Sequence, residues 1–175
     1  GGTILYPTDT IWGIGCDATN TDAVVKIYSI KKRIENKALI SLVANATQLK
    51  QLCSKIPKEG LNDNPTTIIY NQVTGLANNL LAPNGSAAIR IAQDEFCKEL
   101  INAFGKPIVS TSANISELES PYDIESVLKM FENADVQPDI IIDAGILPHK
   151  SPSTVIRVQN GNIEILRQGE LVVEL

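Results

Sequence analysis

Sulfur and imidazole groups are scarce in this sequence, which has three cysteines and one histidine among 175 residues. Cys16, Cys53 and Cys97 are widely spaced and form no CxxC pair. That pattern argues against a disulfide framework and against a zinc site. It indicates small buried thiols in a reducing compartment, so we expect a cytoplasmic protein.

The chain also lacks a long apolar run, since none approaches the roughly 18–20 residues that a membrane-spanning helix needs. No signal peptide is visible, and we expect no membrane partner. The start, GGTILYP without a methionine, suggests that a short native N-terminal segment is missing. The net charge of −5 argues against a protein that grips a phosphate backbone over a wide area, but it leaves room for one local basic pocket.

Common nucleotide-binding and hydrolase motifs are missing as well. The sequence contains no GxxxxGK(S/T) loop, no GxGxxG after a strand, no HExxH and no GxSxG. The single histidine, His149, lies in LPHKSPS with no evident nucleophile to pair with. We interpret it as a loop residue at the surface.

What the sequence does contain is an alternation of short β-branched runs with helical patterns, which is typical of an α/β domain with a twisted, at least partly parallel sheet. Strands are predicted at 3–6, 38–43, 66–70, 87–91, 107–110, 139–143, 153–158 and 162–167. Helices are predicted at 22–32, capped by Asn20 or Thr21, and at 94–104 and 124–131. No repeat, low-complexity tract or composition shift marks a linker, so we predict a single domain over residues 1–175.

Polar residues interrupt these elements, first in the stretch YPTDTIWGIGCD at 6–17. Pro7 ends a strand there, and the glycines that follow allow unusual backbone angles or the close approach of a ligand. A second interruption is the basic run KKR at 31–33. Its charges either complement the C-terminus of the predicted helix or form an anion site, with Lys31 as a point charge and Arg33 as a bidentate fork.

Two further polar stretches are STSANIS at 110–116 and SPST at 151–154. The first follows an apolar strand, where open α/β sheets bind ligands, although an ordinary turn has the same composition. Arg90 and Arg167 lie on strands between apolar neighbours, so each needs an anionic partner from the protein or from a ligand. Together these stretches indicate a cleft fringed by hydroxyls that suits a small polar acid and a phosphate-bearing molecule.

The same motifs, taken in order, resemble those of the YrdC-type threonylcarbamoyl-AMP synthase family in its single-domain form. The series is YPTDTIWGIGCD, KKR with NKALI, PTTIIY, AAIRI, STSANIS, PSTVI and ILRQG, from residue 4 to about 169. Any one motif is weak, but the ordered series is specific. The resemblance implies a YrdC/RibB-like twisted open sheet, mixed in strand direction, with flanking helices around a concave basic cavity.

The resemblance also implies an enzyme, a nucleotidyltransferase that joins L-threonine, bicarbonate and ATP into threonylcarbamoyl-AMP and releases pyrophosphate. Mg²⁺, bound with ATP, is the expected cofactor. A partner transferase would then pass the threonylcarbamoyl group to tRNA. The resemblance also relates the cavity of this fold to a surface that binds double-stranded RNA.

By motif position, the resemblance assigns the catalytic role to Lys31 and Arg33. The residues expected to bind threonine are Thr8, Thr10, Arg90, Ser112 and Ser153. The residues expected to bind ATP are Lys31, Arg33, Lys37, Thr67, Ser86, Asn114 and Arg167. In the first motif, Trp12 would form a wall, and Gly13 and Gly15 would let the chain pass close beneath the ligand. Asp9 would either position the amine or fix the turn.

The sequence departs from the family pattern at several positions. Ile34 and Ala38 stand where many relatives have proline, Ser86 replaces a more usual threonine, and Glu117 replaces a frequent glycine. Two other functions stay open: a non-catalytic module that binds double-stranded RNA or tRNA or matures ribosomes, and a relative that handles carbamoyl-adenylate. The acidic net charge weighs against the first, and the retained KxR and SxN motifs favour the synthase.

Overall fold

The computed structural model describes residues 1–32, 38–61, 65–115, 118–132, 134–159 and 161–169. Within these ranges the strands are β1 (Thr3–Tyr6), β2 (Gly13–Cys16), β3 (Ile40–Val43), β4 (Thr66–Tyr70), β5 (Ala87–Ile91), β6 (Ile108–Ser112), β7 (Ile140–Ile141), β8 (Thr154–Gln159) and β9 (Asn162–Arg167). The helices are α1 (Thr21–Ile30), α2 (Ala46–Leu52), α3 (Glu95–Phe104) and α4 (Ile124–Phe131). Two short 3-10 turns lie at Lys58–Leu61 and Asn78–Leu80.

The described strands join one sheet in the order β7-β1-β2-β6-β3-β5-β4-β8-β9. The pairs β1 with β7, β3 with β5 and β4 with β8 are parallel. The remaining neighbours are antiparallel. The predicted twisted mixed sheet with flanking helices is therefore confirmed, and its twist follows from the right-handed preference of strands of L-residues.

Each α-helix begins at a side chain that caps it. The caps Asn20, Asn45, Asp94 and Asp123 accept from the backbone N–H groups of Ala23, Gln48, Cys97 and Ser126 at 2.7 to 3.0 Å. Such a cap satisfies an otherwise unpaired donor and is worth about 1 kcal/mol. The prediction of a cap on the first helix is thus confirmed for Asn20. Within the described residues, no helix is both long enough and apolar enough to cross a membrane.

Two elements lie outside the predictions from sequence, namely β2 and α2. The two glycines of GIGC lower the strand propensity of that segment, so the pattern alone indicates a turn. β2 forms because β1 and β6 pair with it on either side. The strand predicted at 139–143 is shorter in the structure: only Ile140–Ile141 form a strand, β7, which pairs with β1 at the edge of the sheet.

The two faces of the sheet carry different side chains, because successive side chains along a strand point to opposite faces. On β5, Ile89 belongs to the main core, which also takes Ile27 from α1 and Leu49 from α2. The neighbouring Arg90 therefore faces the other side. A smaller core on that side includes Ile101 from α3. The candidate site lies on this second face.

Candidate active site

A cavity of about 330 Å³ opens on the face of the sheet that carries Arg90. Its lining includes the hydroxyl side chains of Thr8, Thr10, Ser110, Thr111, Ser112, Ser120 and Ser153. Two arginines, Arg90 and Arg167, also line it. Its apolar walls are Ile11, Ile40, Ile69, Ala88, Val155 and Leu166. None of the described lining residues is acidic, so the cavity suits a polar anion.

The loop from β1 to β2 forms one side of this cavity, and Thr8 fixes its shape. The Thr8 hydroxyl donates to the carbonyl of Ile11 at 2.6 Å and accepts from the backbone N–H groups of Thr10 and Ile11, both at 3.2 Å. Local hydrogen bonds of this kind are how threonine closes a turn. Thr10 Oγ1 lies 3.2 Å from Thr8 Oγ1, so the two hydroxyls form one polar edge.

The two glycines of this motif are required for different structural reasons. Gly13 lines the cavity, and a Cβ there would lie 2.9 Å from Thr8 Cγ2. A Cβ on Gly15 would lie 1.9 Å from the carbonyl oxygen of Val109, so β2 could not approach β6. Gly15 is absent from the described lining. Gly13 is therefore placed where a ligand in the cavity could approach it, and its role beneath the ligand stays a prediction, whereas Gly15 serves the packing of the sheet.

Arg90 forms a buried ion pair with Asp9 of the same loop. Arg90 Nη2 lies 3.0 Å from Asp9 Oδ1, and the two side chains are 4% and 9% exposed. The pKa of Asp9 is raised above its usual value, because the effect of burial is larger than the opposing effect of the Arg90 charge. The prediction that this strand arginine needs an anionic partner is confirmed, and the partner is a carboxylate of the protein. Asp9 thus does more than fix the turn.

Lys31 joins the basic run to the STSANIS motif. Its side chain is 1% exposed. Its ammonium donates to the carbonyl of Ser112, to the carbonyl of Asn114 at 2.8 Å and to Asn114 Oδ1 at 3.1 Å. A buried ammonium is stable only with such partners. The charge at the end of α1 is therefore used inside the protein, behind the loop that presents Ser112 to the cavity.

Another part of the cavity lining is built around Ser153. Its hydroxyl lies 2.8 Å from Thr67 Oγ1, and its carbonyl accepts from Arg167 Nε at 3.2 Å and from Arg167 Nη2 at 2.8 Å. Thr67 is fully buried. Thr67 therefore supports Ser153 from behind, and Arg167 donates to the backbone carbonyl of the same serine. The anionic partner expected for Arg167 stays a prediction.

All five residues predicted to bind threonine line the same cavity: Thr8, Thr10, Arg90, Ser112 and Ser153. Among those predicted to bind ATP, Arg167 lines it. Lys31, Thr67, Ser86 and Asn114 are buried outside the described lining. Arg33 and Lys37 lie outside the described residues.

Three other residues complete the description of the site. Ser86 is absent from the described lining, and its hydroxyl donates to Asn84 Oδ1 at 2.7 Å. Trp12 lines the cavity as predicted and donates from Nε1 to the carbonyl of Tyr122 at 3.0 Å. Ser120 also lines the cavity, but it lies in a stretch with no motif, so sequence reasoning missed it.

The site offers hydroxyls rather than a metal cage. Among the described residues, no group of three or more His, Cys, Asp or Glu side chains could hold a metal ion. His149 is exposed in its loop, as predicted, and stacks on Tyr122 with ring centroids 3.6 Å apart.

Comparison with known proteins identifies the family. The sequence profile of the Sua5/YciO/YrdC family, described as "Telomere recombination", matches residues 1–169. The chain belongs to the Sua5/YciO/YrdC family. It is 33% identical over 178 residues to a protein of Aliivibrio fischeri named threonylcarbamoyl-AMP synthase, with 97% of this chain and 93% of that protein covered.

Other members of the Sua5/YciO/YrdC family also resemble this chain in sequence or in fold. A protein of Psychromonas ingrahamii with the same name is 30% identical over 168 residues, with 91% of this chain and 87% of that protein covered. The structure of P. abyssi Sua5 complexed with L-threonine superposes with a TM-score of 0.86 at 28% identity and covers 96% of this chain. This chain spans about half of that protein, 50% of its length. E. coli YciO, at 22% identity and a TM-score of 0.82, shares the fold; 97% of this chain and 84% of YciO are covered.

Proposed function

We propose that this chain is a threonylcarbamoyl-AMP synthase, an enzyme that makes threonylcarbamoyl-AMP and pyrophosphate from L-threonine, bicarbonate and ATP. The observation that carries the proposal is that Thr8, Thr10, Arg90, Ser112 and Ser153 come from four separate motifs and line one cavity. The curated relatives of that name, at 30% and 33% identity, support it.

Substrate binding in this proposal follows from the charges and hydroxyls of the lining. Arg90 supplies the positive charge for the α-carboxylate of threonine, because a guanidinium matches a carboxylate in shape and charge. The hydroxyls of Thr10 and Ser112 are suited to the polar groups of the amino acid, since each both donates and accepts. Arg167, at the wall built around Ser153, is the described lining residue best suited to the phosphates of ATP.

The chemistry needs no nucleophile from the protein. The threonine amine attacks the carbon of bicarbonate, water is lost and a carbamate forms. A carbamate oxygen then attacks the α-phosphorus of ATP, the bond from that phosphorus to the bridging oxygen breaks, and pyrophosphate leaves. The protein contributes proximity of the three substrates and positive charge around the α-phosphate. Lys31 contributes by holding the loop of Ser112 and Asn114 in place. Arg33, from the same KxR motif, is proposed to contact the phosphates directly.

Mg²⁺ fits this site as a companion of ATP. The described cavity lining offers hydroxyls and no carboxylate, a donor set that leaves the ion mainly to the triphosphate and to water. When bound, the ion would neutralise charge on the phosphates. Removing divalent ions with a chelator should abolish pyrophosphate release, and added Mg²⁺ should restore it.

An assay with labelled bicarbonate tests the proposed function. The protein is incubated with ATP, radiolabelled bicarbonate and each amino acid in turn, and a labelled adenylate should form only with threonine. Arg90→Gln should lower its formation by about 100-fold or more, the scale of losing one preorganised charge. Arg157→Gln is the matched control, because Arg157 pairs with Glu164 on β8 and β9 outside the cavity lining. No labelled adenylate, or equal labelling with many amino acids, would refute the assignment.

The downstream partners belong to the same proposal. The product is a reactive mixed anhydride, so we propose that a transferase takes the threonylcarbamoyl group to tRNA in the cytoplasm. Adding tRNA and a transferase extract should move the label from the adenylate to tRNA. Direct binding of double-stranded RNA without adenylate formation, with a strong salt dependence, would favour the non-catalytic alternative.

A further inference from the structure

The ion pair of Asp9 and Arg90 carries an inference about how this site selects its substrate. Both side chains are almost fully buried, at 9% and 4% exposure, and Nη2 of Arg90 lies 3.0 Å from Asp9 Oδ1. The other two guanidinium nitrogens, Nε and Nη1, are buried and have no hydrogen-bond partner among the described residues. Since Arg90 lines the cavity, these nitrogens are donors that an acceptor bound in the cavity could use.

A buried donor without a partner is costly, and native proteins rarely keep one unless a ligand, an ion or an ordered water completes it. A guanidinium has N–H groups on all three nitrogens, so a second carboxylate can bind while Asp9 keeps its contact. The rest of the lining, as far as its residues are described, offers no such arrangement. Arg167, the other lining arginine, gives Nε and Nη2 to the carbonyl of Ser153 at 3.2 and 2.8 Å.

The backbone of Asp9 is held in place, while neither carboxylate oxygen of its side chain has a hydrogen-bond partner among the described residues. It lies in the turn that the Thr8 hydroxyl closes onto Ile11, and its carbonyl accepts from Lys150 Nζ at 3.2 Å. Arg90 is likewise fixed, because it lies on β5 in register with Leu42 of β3. Two side chains on rigid supports, joined by one contact, can fix the direction of a guanidinium.

We propose that Asp9 is a positioning residue: it holds Arg90 by one nitrogen so that the remaining nitrogens receive the α-carboxylate of the amino acid substrate. The inference rests on the proposed function, which supplies that carboxylate. Asp9 itself does not touch the substrate. Its effect should therefore appear in the affinity for groups that Arg90 binds and in nothing else.

Calorimetric titration of the whole chain with threonine and with threoninamide, which lacks the carboxylate, tests this role. The wild type should prefer threonine. Asp9→Asn, which keeps the shape of the side chain, should weaken threonine binding by roughly 10- to 100-fold, by analogy with the loss of a residue that orients a metal-binding side chain. Threoninamide binding and the KM for ATP should not change.

A double-mutant cycle separates positioning from direct contact. In Arg90→Gln, adding Asp9→Asn should cost no further threonine affinity, because Asp9 acts only through Arg90. The double variant also removes both buried charges together, so it should fold even if Asp9→Asn alone is unstable. Asp17→Asn is the matched control, since Asp17 pairs with Lys106 at 2.8 Å outside the cavity lining, and it should bind threonine normally.

The outcomes distinguish the two proposals. If the wild type binds no threonine, the proposed function fails and this inference fails with it. If the wild type binds threonine and Asp9→Asn binds it equally well, only the inference fails. Additive losses in the double variant would also overturn it, because they would mean that Asp9 contacts the substrate itself.

Discussion

Lys31 Nζ lies 2.8 Å from the backbone carbonyl of Asn114, a hydrogen bond between residues 83 positions apart in the chain. It fastens the end of α1 to the loop after β6. Because Ser112, the last residue of β6, lines the cavity and also accepts from Lys31, the shape of the site depends on a lysine that is itself 1% exposed.

Replacing that charge should loosen the loop. In Lys31→Met the carbonyls of Ser112 and Asn114 lose a buried donor, which costs about 1–3 kcal/mol for each group left unsatisfied. We expect a lower melting temperature together with loss of adenylate formation. Lys32→Met, at the exposed neighbouring position, should change neither. A Lys31→Met protein with normal stability would contradict this account.

The hydroxyl pair of Thr67 and Ser153 predicts opposite results for two adjacent threonines. Thr67→Val removes the partner of Ser153 Oγ, 2.8 Å away, and should cost about 1 kcal/mol of unfolding free energy and weaken threonine binding. Thr66 Oγ1 is buried and has no hydrogen-bond partner within the described part of the chain, so Thr66→Val should leave stability unchanged or raise it. Denaturant unfolding measures both. Equal effects of the two substitutions would show that the hydroxyl pair contributes nothing.

Gly15 should not tolerate a side chain. The added methyl group of Gly15→Ala would meet the carbonyl oxygen of Val109 at 1.9 Å, and separating β2 from β6 should cost about 3 kcal/mol. Gly2→Ala is the control, because its Cβ would lie 3.7 Å from the nearest atom, Asp139 Oδ2. Thermal unfolding should show a large loss for the first variant and almost none for the second.

The three cysteines are free and buried, as the sequence predicts, and should be unreactive in the native protein. Burial raises the pKa of Cys16 to about 12 and also raises those of Cys53 and Cys97. A raised pKa means that the thiolate is nearly absent at pH 8, and the thiolate is the reacting form. Ellman's reagent should therefore detect three thiols only after unfolding. Rapid reaction of the folded protein would contradict the burial.

The local sequence by itself determined those strands and helix ends that depend only on residues close together in the chain. The β-branched runs predict β4, β5 and β9 at their observed bounds, and Asn20 caps α1 as expected. Propensity and capping act within a few residues, so a linear reading captures them. The order of the motifs likewise indicated the family and six of the residues that line the cavity, namely Thr8, Thr10, Arg90, Ser112, Ser153 and Arg167.

Tertiary structure decided what depends on distant partners. β2 is a strand despite its glycines because two neighbours pair with it, and Gly15 is required by a backbone atom of β6. Folding brings Lys31 to Asn114 and Thr67 to Ser153, 86 positions away, and neither contact can be read from the local sequence. The sequence indicated that Arg90 needs an anion, but it could not name Asp9. Which groups meet across such separations depends on sheet order and register, and these are set by the whole chain rather than by any local pattern.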